Sequence, residues 1–117
     1  MRSPQARQRP RRSRYETTGT LSRHAIWALH EPQADGVDLL LMVPLRFGIG
    51  YALPSASAPA IPDGQVSWWT GYGGAIVVND ADRRTTVAYV PNRLADHMVA
   101  SPRTDAYVRT ALGCVPA

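Results

Sequence analysis

Two runs rich in β-branched residues, Gly74 to Asn79 and Thr85 to Val90, stand on either side of the turn-like Asp80-Ala81-Asp82-Arg83. Val, Ile, Thr and Tyr suit a pleated surface and Asp-rich segments suit tight reversals, so the spacing predicts a β-hairpin. Each arm carries consecutive apolar residues where a half-exposed strand would alternate, so both faces of the hairpin need cover. The last segment offers cover for one of them. Ser101 suits an N-cap and Pro102 the first helical position, and Ala106, Tyr107, Val108, Ala111 and Leu112 then fall along one stripe of a helix over 102–113. A single helix of that length covers one face of a three-stranded sheet and leaves the other bare. The chain therefore reads as an incomplete layered α+β domain, antiparallel strands with a C-terminal helix, whose second cover lies elsewhere.

Upstream of the hairpin, Arg46 to Leu53 (RFGIGYAL) alternates large apolar residues with glycine. That pattern predicts one strand with a bulky face and a face open to close backbone approach. Leu53 to Gly64 holds three prolines among small residues and predicts a loop. Ala25, Ile26, Ala28 and Leu29, with Trp27, give a short helical pattern that Ser22 would cap and that must end near Pro32.

At 117 residues there is room for one compact domain, and an apolar content of 44% is near the globular range of about 45–50%. Charge is segregated. Residues 1–14 hold six arginines and no acid, whereas residues 15–117 hold seven arginines against nine acids. A segment as polar as residues 1–20 buries too little surface to offset its ordering entropy, so a disordered arginine-rich tail is expected there, followed by a helix or linker over 21–35 and the folded part over 36–117. Arginines without interleaved aromatic residues are a weak basis for binding nucleic acid. One cysteine, Cys114, and the scattered His24, His30 and His97 lack the spacing of a metal site, and no cofactor is expected. The longest apolar stretch, Val37 to Leu45, is far short of the ~20 residues that span a bilayer. Arg11-Arg12 is followed by polar residues in place of an apolar export core, so a cytoplasmic location is expected.

The densest local feature is Ser67-Trp68-Trp69-Thr70-Gly71-Tyr72-Gly73-Gly74, three aromatics and three glycines leading into the hairpin. From Trp69 to Asp80 and on through Val87-Ala88-Tyr89-Val90-Pro91-Asn92-Arg93-Leu94, the sequence resembles the C-terminal hairpin of the β-lactamase-related serine hydrolases. That family includes class C β-lactamases, penicillin-binding carboxypeptidases and esterases. Gly36-Val37-Asp38 and Pro44 to Tyr51 are similar to the strand that precedes this hairpin in the esterase branch, so the resemblance covers about residues 36–115. It implies the C-terminal sheet strands and helix of a β-lactamase-like fold.

The family's chemistry uses S-x-x-K with a serine nucleophile, a tyrosine or serine motif, and K-T-G on a strand lining the cleft. Trp69-Thr70-Gly71 stands where K-T-G would. The resemblance implies that Thr70 hydrogen-bonds a substrate carboxylate or ester, that the Tyr72 N–H contributes to an oxyanion hole, and that Trp69 shapes an apolar acyl pocket. All thirteen basic residues are arginine, so no S-x-x-K exists in the chain and no amine base is present. No catalytic residue is assigned, and neither Tyr51 nor Tyr89 stands in a Y-x-N motif. Ser67 or Cys114 with His97 as base is the weaker alternative, since a cysteine ending an apolar stripe usually acts as a small buried hydrophobe. The expectation is a hydrolase fragment inactive alone, acting with a complementing N-terminal chain or self-associating through its bare face. The alternatives are a small binding module with a nucleic-acid-contacting tail and a remnant of a broken reading frame.

Overall fold

The β-branched runs pair as an antiparallel hairpin in the computed structural model, which describes residues 22–116. The arginine-rich tail expected over residues 1–20 lies outside the described residues. Six strands form one sheet whose spatial order follows the chain: β1 (Ala34–Val37), β2 (Pro44–Phe47), β3 (Ala52–Leu53), β4 (Val66–Thr70), β5 (Ile76–Asp80) and β6 (Thr85–Tyr89). Every neighbouring pair is antiparallel. The β5–β6 register runs from Ile76↔Tyr89 to Asp80↔Thr85, and the turn between them is fixed by Asp80. Its buried carboxylate accepts from the Arg83 N–H at 2.9 Å and from Arg83 Nη1 at 2.7 Å, so its charge enters the interior already paired.

The expected single strand over Arg46 to Leu53 is instead two strands and a reversal. The Gly48 N–H donates to the Tyr51 carbonyl at 2.9 Å, and Gly50 takes φ +81°, a left-handed conformation that glycine adopts without a Cβ penalty. β2 and β3 then pair through Arg46↔Leu53 and Phe47↔Ala52. Alternating glycines serve a turn here. The Trp-rich segment differs as well: Val66 to Thr70 is itself an interior strand, paired over five residues with β5 from Val66↔Asp80 to Thr70↔Ile76.

Two helices among the described residues flank the sheet. α1 (Arg23–Leu29) is capped by the Ser22 side chain, which accepts from the Ala25 N–H at 3.2 Å. It is anchored through the Ile49 N–H, which donates to the Leu29 carbonyl at 3.3 Å. α2 (Pro102–Gly113) begins at Ser101 as expected and buries Thr104, Val108 and Leu112. The core joins Val108 and Leu112 to Val66, Trp68, Ile76 and Val78 of the sheet and to Ala58, Ala60 and Ile61 of the β3–β4 loop. Trp68 is fully buried, and its Nε1–H donates to the Leu53 carbonyl at 3.0 Å, which satisfies the one polar atom of that side chain. Tyr107 of α2 stacks on Tyr89 of β6 at 4.7 Å between ring centroids.

The opposite face of the central strands is open. Trp69, Val77 and Ala88 form a cross-strand row on it, with Trp69 43% and Val77 40% exposed. No helix among the described residues is long and apolar enough to cross a membrane.

Candidate functional site

β4 delivers Trp69 and Thr70 to the end of the sheet, where Gly71 to Ala75 reverse the chain into β5. Inside this turn the Gly71 N–H and the Thr70 hydroxyl both donate to the Ala75 carbonyl, at 2.9 Å and 2.8 Å, and the Gly74 N–H donates to the Gly71 carbonyl at 3.2 Å. Gly73 and Gly74 take φ +93° and +102°, so the tight reversal depends on both lacking a Cβ. The turn is clamped from outside. The Gly73 N–H donates to the His97 carbonyl, the Ala95 N–H donates to the Gly73 carbonyl, and buried Thr104 at the start of α2 donates its hydroxyl to the Gly74 carbonyl at 2.8 Å. Because that one proton is committed to Gly74, the 2.9 Å contact between the Ser101 and Thr104 hydroxyls has Ser101 as donor.

Three of the four sequence-predicted residues line one apolar pocket of about 120 Å³: Trp69, Thr70 and Tyr72. Leu41 and Leu45 from the β1–β2 hairpin and Met98 and Val99 from the loop before α2 complete its wall with Trp68. A space of this order takes a single ring or a short acyl group. The ring of Trp69 lies 5.6 Å from that of Phe47 in a tilted pair, which restricts its rotation at the pocket edge. Gly71 supplies backbone only.

The polar groups of the segment divide into free and committed. Thr70 is buried and its hydroxyl proton is held by Ala75, so donating to a substrate carboxylate requires that rotor to leave its present partner. The Tyr72 N–H has no acceptor among the described residues. The Tyr72 hydroxyl donates to Asp96 at 2.8 Å; that hydrogen bond, and then the carboxylate charge, raise the phenol's pKa above its ordinary value. Pairing of β4 with β3 ends at Ala52↔Trp68, so past Trp68 this side of β4 has no strand beside it. An open stretch of strand edge thus runs beside the pocket.

The weaker nucleophile candidates are not assembled. Ser67 is buried on β4, His97 is exposed in the loop before α2, and no hydrogen bond joins the His97 ring to Ser67 or Cys114 among the described residues. Cys114 is exposed at the C-cap of α2, outside the buried face that Thr104, Val108 and Leu112 form, and is not the buried end of an apolar stripe. The described residues hold no cluster of three potential metal ligands. Sequence reasoning missed Leu41, Met98, Val99 and Asp96. None carries a local signal, since each reaches the pocket or Tyr72 through a turn or an irregular loop.

No protein-family model matches the chain, and no curated protein does. Among solved structures it is similar to a novel penicillin-binding protein homolog from Caulobacter crescentus, with a TM-score of 0.69 and 23% sequence identity. The match covers 77% of this chain and 24% of that one, so the chain spans about a quarter of the length of its structural relative. Its antiparallel sheet with C-terminal helix is an α+β arrangement that resembles part of that homolog's fold.

Proposed function

We propose that this chain supplies the C-terminal sheet and helix of a β-lactamase-related serine hydrolase, and that Trp69 to Tyr72 form one wall of its acyl-transfer site. The observation that carries the reading is the convergence of Trp69, Thr70 and Tyr72 on one apolar pocket beside the edge of β4 that β3 leaves uncovered past Trp68. In that role Trp69 borders the acyl group, and the free Tyr72 N–H is one of the donors that receive a developing oxyanion. The Ser101–Thr104–Gly74 hydrogen bonds hold the turn that presents this N–H. Nucleophile and base come from a complementing segment, because the chain has no lysine to build S-x-x-K.

The 117-residue chain alone should hydrolyse neither p-nitrophenyl esters nor nitrocefin faster than buffer, and a serine-directed fluorophosphonate should leave it unlabelled. Stoichiometric labelling would mean that it holds its own activated serine, and the complementation reading would fall. The positive arm pairs the chain with a segment bearing S-x-x-K: labelling should appear with the pair and fail with Tyr72→Pro, which deletes the proposed donor.

A further inference from the structure

At the end of the sheet away from the Gly71–Ala75 turn, a second pocket of about 280 Å³ lies between the β3–β4 loop, the β5–β6 turn and the C-terminal end of α2. It shares no residue with the Trp69–Tyr72 pocket. Its walls are of two chemical kinds. Pro59, Ala60, Pro62 and Leu112 give an apolar floor, and Arg83 and Arg109 bring two guanidinium groups to the same space.

The two arginines differ in how far their charge is already used. Arg83 is paired, with Nη1 donating to buried Asp80 at 2.7 Å. Its Nε is buried with no acceptor among the described residues, a donor left unmet where most buried donors find a partner. Arg109 makes no hydrogen bond or ion pair to any described residue, although Asp105 stands four residues before it on the same helix. Asp82, the other acid of the β5–β6 turn, accepts from the Gln65 N–H at 2.8 Å, and neither it nor Asp105 lines the pocket. One positive charge in the pocket is therefore uncompensated. The partial negative charge at the C-terminal end of α2 opposes an anion, and the two guanidinium groups must outweigh it.

We propose that this pocket is a binding site for a small organic monoanion, a carboxylate carried on a compact apolar body. The carboxylate meets the planar fork of Arg109 and the free remainder of the Arg83 guanidinium, while the body covers Pro59, Ala60, Pro62 and Leu112. A bare inorganic anion would leave that floor exposed, and a neutral ligand would leave Arg109 unmet, so the site selects for both parts.

Benzoate titrated into the isotope-labelled full-length chain tests this, with amide resonances of Ala60, Arg83, Leu112 and Gly113 as the readout. Saturable shifts confined to these residues are expected, with benzamide and acetate each binding about tenfold more weakly or worse. Arg109→Gln, a change at an exposed helix position, should weaken benzoate by a similar factor and leave the thermal midpoint unchanged. Arg109→Lys should recover only part of the affinity, because an ammonium lacks the fork. Equal binding of benzoate and benzamide, full affinity in Arg109→Gln, or no saturable shift with benzoate would each overturn the assignment.

Discussion

Tyr72 is 63% exposed, yet its hydroxyl is committed to Asp96, a side-chain contact that adds to the backbone bonds of Gly73 in tying the Gly71–Ala75 turn to the loop before α2. The hydrogen bond favours the protonated phenol, and the carboxylate charge disfavours the phenolate, so both effects raise the pKa. Asp96→Asn removes the charge, and the Tyr72 phenolate should then form at lower pH. The measurement is a phenolate absorbance titration, with Tyr72→Phe subtracted to isolate this residue. The sign for stability follows from a folded pKa raised above the unfolded one. The contact contributes fully below the ordinary phenol pKa and is lost as pH climbs through the raised value. Identical Tyr72 titrations in the two proteins would show that the bond does not persist in solution. The neighbouring Thr104 contact is of a different kind, since it is fully buried and does not depend on charge.

Among the elements, α1 is one that buries no residue fully. Its attachment is a backbone one. A Cβ built on Gly48 would stand 2.1 Å from the Leu29 carbonyl oxygen, so the β2–β3 turn and the end of α1 meet at a distance only glycine permits. Gly48→Ala should push α1 off the turn. Amide exchange at Ile49 and Gln33, which donate to Leu29 and Phe47, should accelerate while the β5–β6 amides stay protected. Gly50→Ala is the control, because space is open there and the left-handed backbone alone costs about 1–2 kcal/mol. Unchanged exchange in Gly48→Ala would mean that α1 is secured by something other than this contact.

For the molecule as a whole, the unequal cover of the two sheet faces governs behaviour. α2 and the β3–β4 loop bury one face, while Trp69, Val77 and Ala88 stay accessible on the other. The β1–β2 turn adds Leu39, Leu40 and Met42, all strongly exposed. Contiguous apolar patches above about 400 Å² favour association on a soluble monomer. Sedimentation at tens of micromolar should therefore show association, and Val77→Thr with Ala88→Lys should shift the population towards monomer. A compact wild-type monomer with a sharp thermal transition would establish that the chain is stable with this face bare. The complementing segment proposed for the active site would then not be needed for folding.

The hairpin of β5 and β6, α2 with its Ser101 cap and the short α1 were legible in the sequence, because periodicity, turn residues and capping residues act within a few positions of one another. So was the grouping of Trp69, Thr70 and Tyr72, three residues within one short segment. The division of Arg46 to Leu53 into two strands was not, since alternating glycine suits both a strand and a reversal until φ at Gly50 and the approach of Leu29 to Gly48 decide between them. Nor were the partners of the site legible. Leu41, Met98 and Val99 reach the pocket, and Asp96 reaches Tyr72, across separations of up to about thirty residues that no local pattern encodes. The sequence alone determined the β5–β6 hairpin, the two helices with their caps and that lysine chemistry is absent. Tertiary structure decided which side chains share a pocket, which donors are already taken and which face stays bare, because these depend on pairing between distant segments.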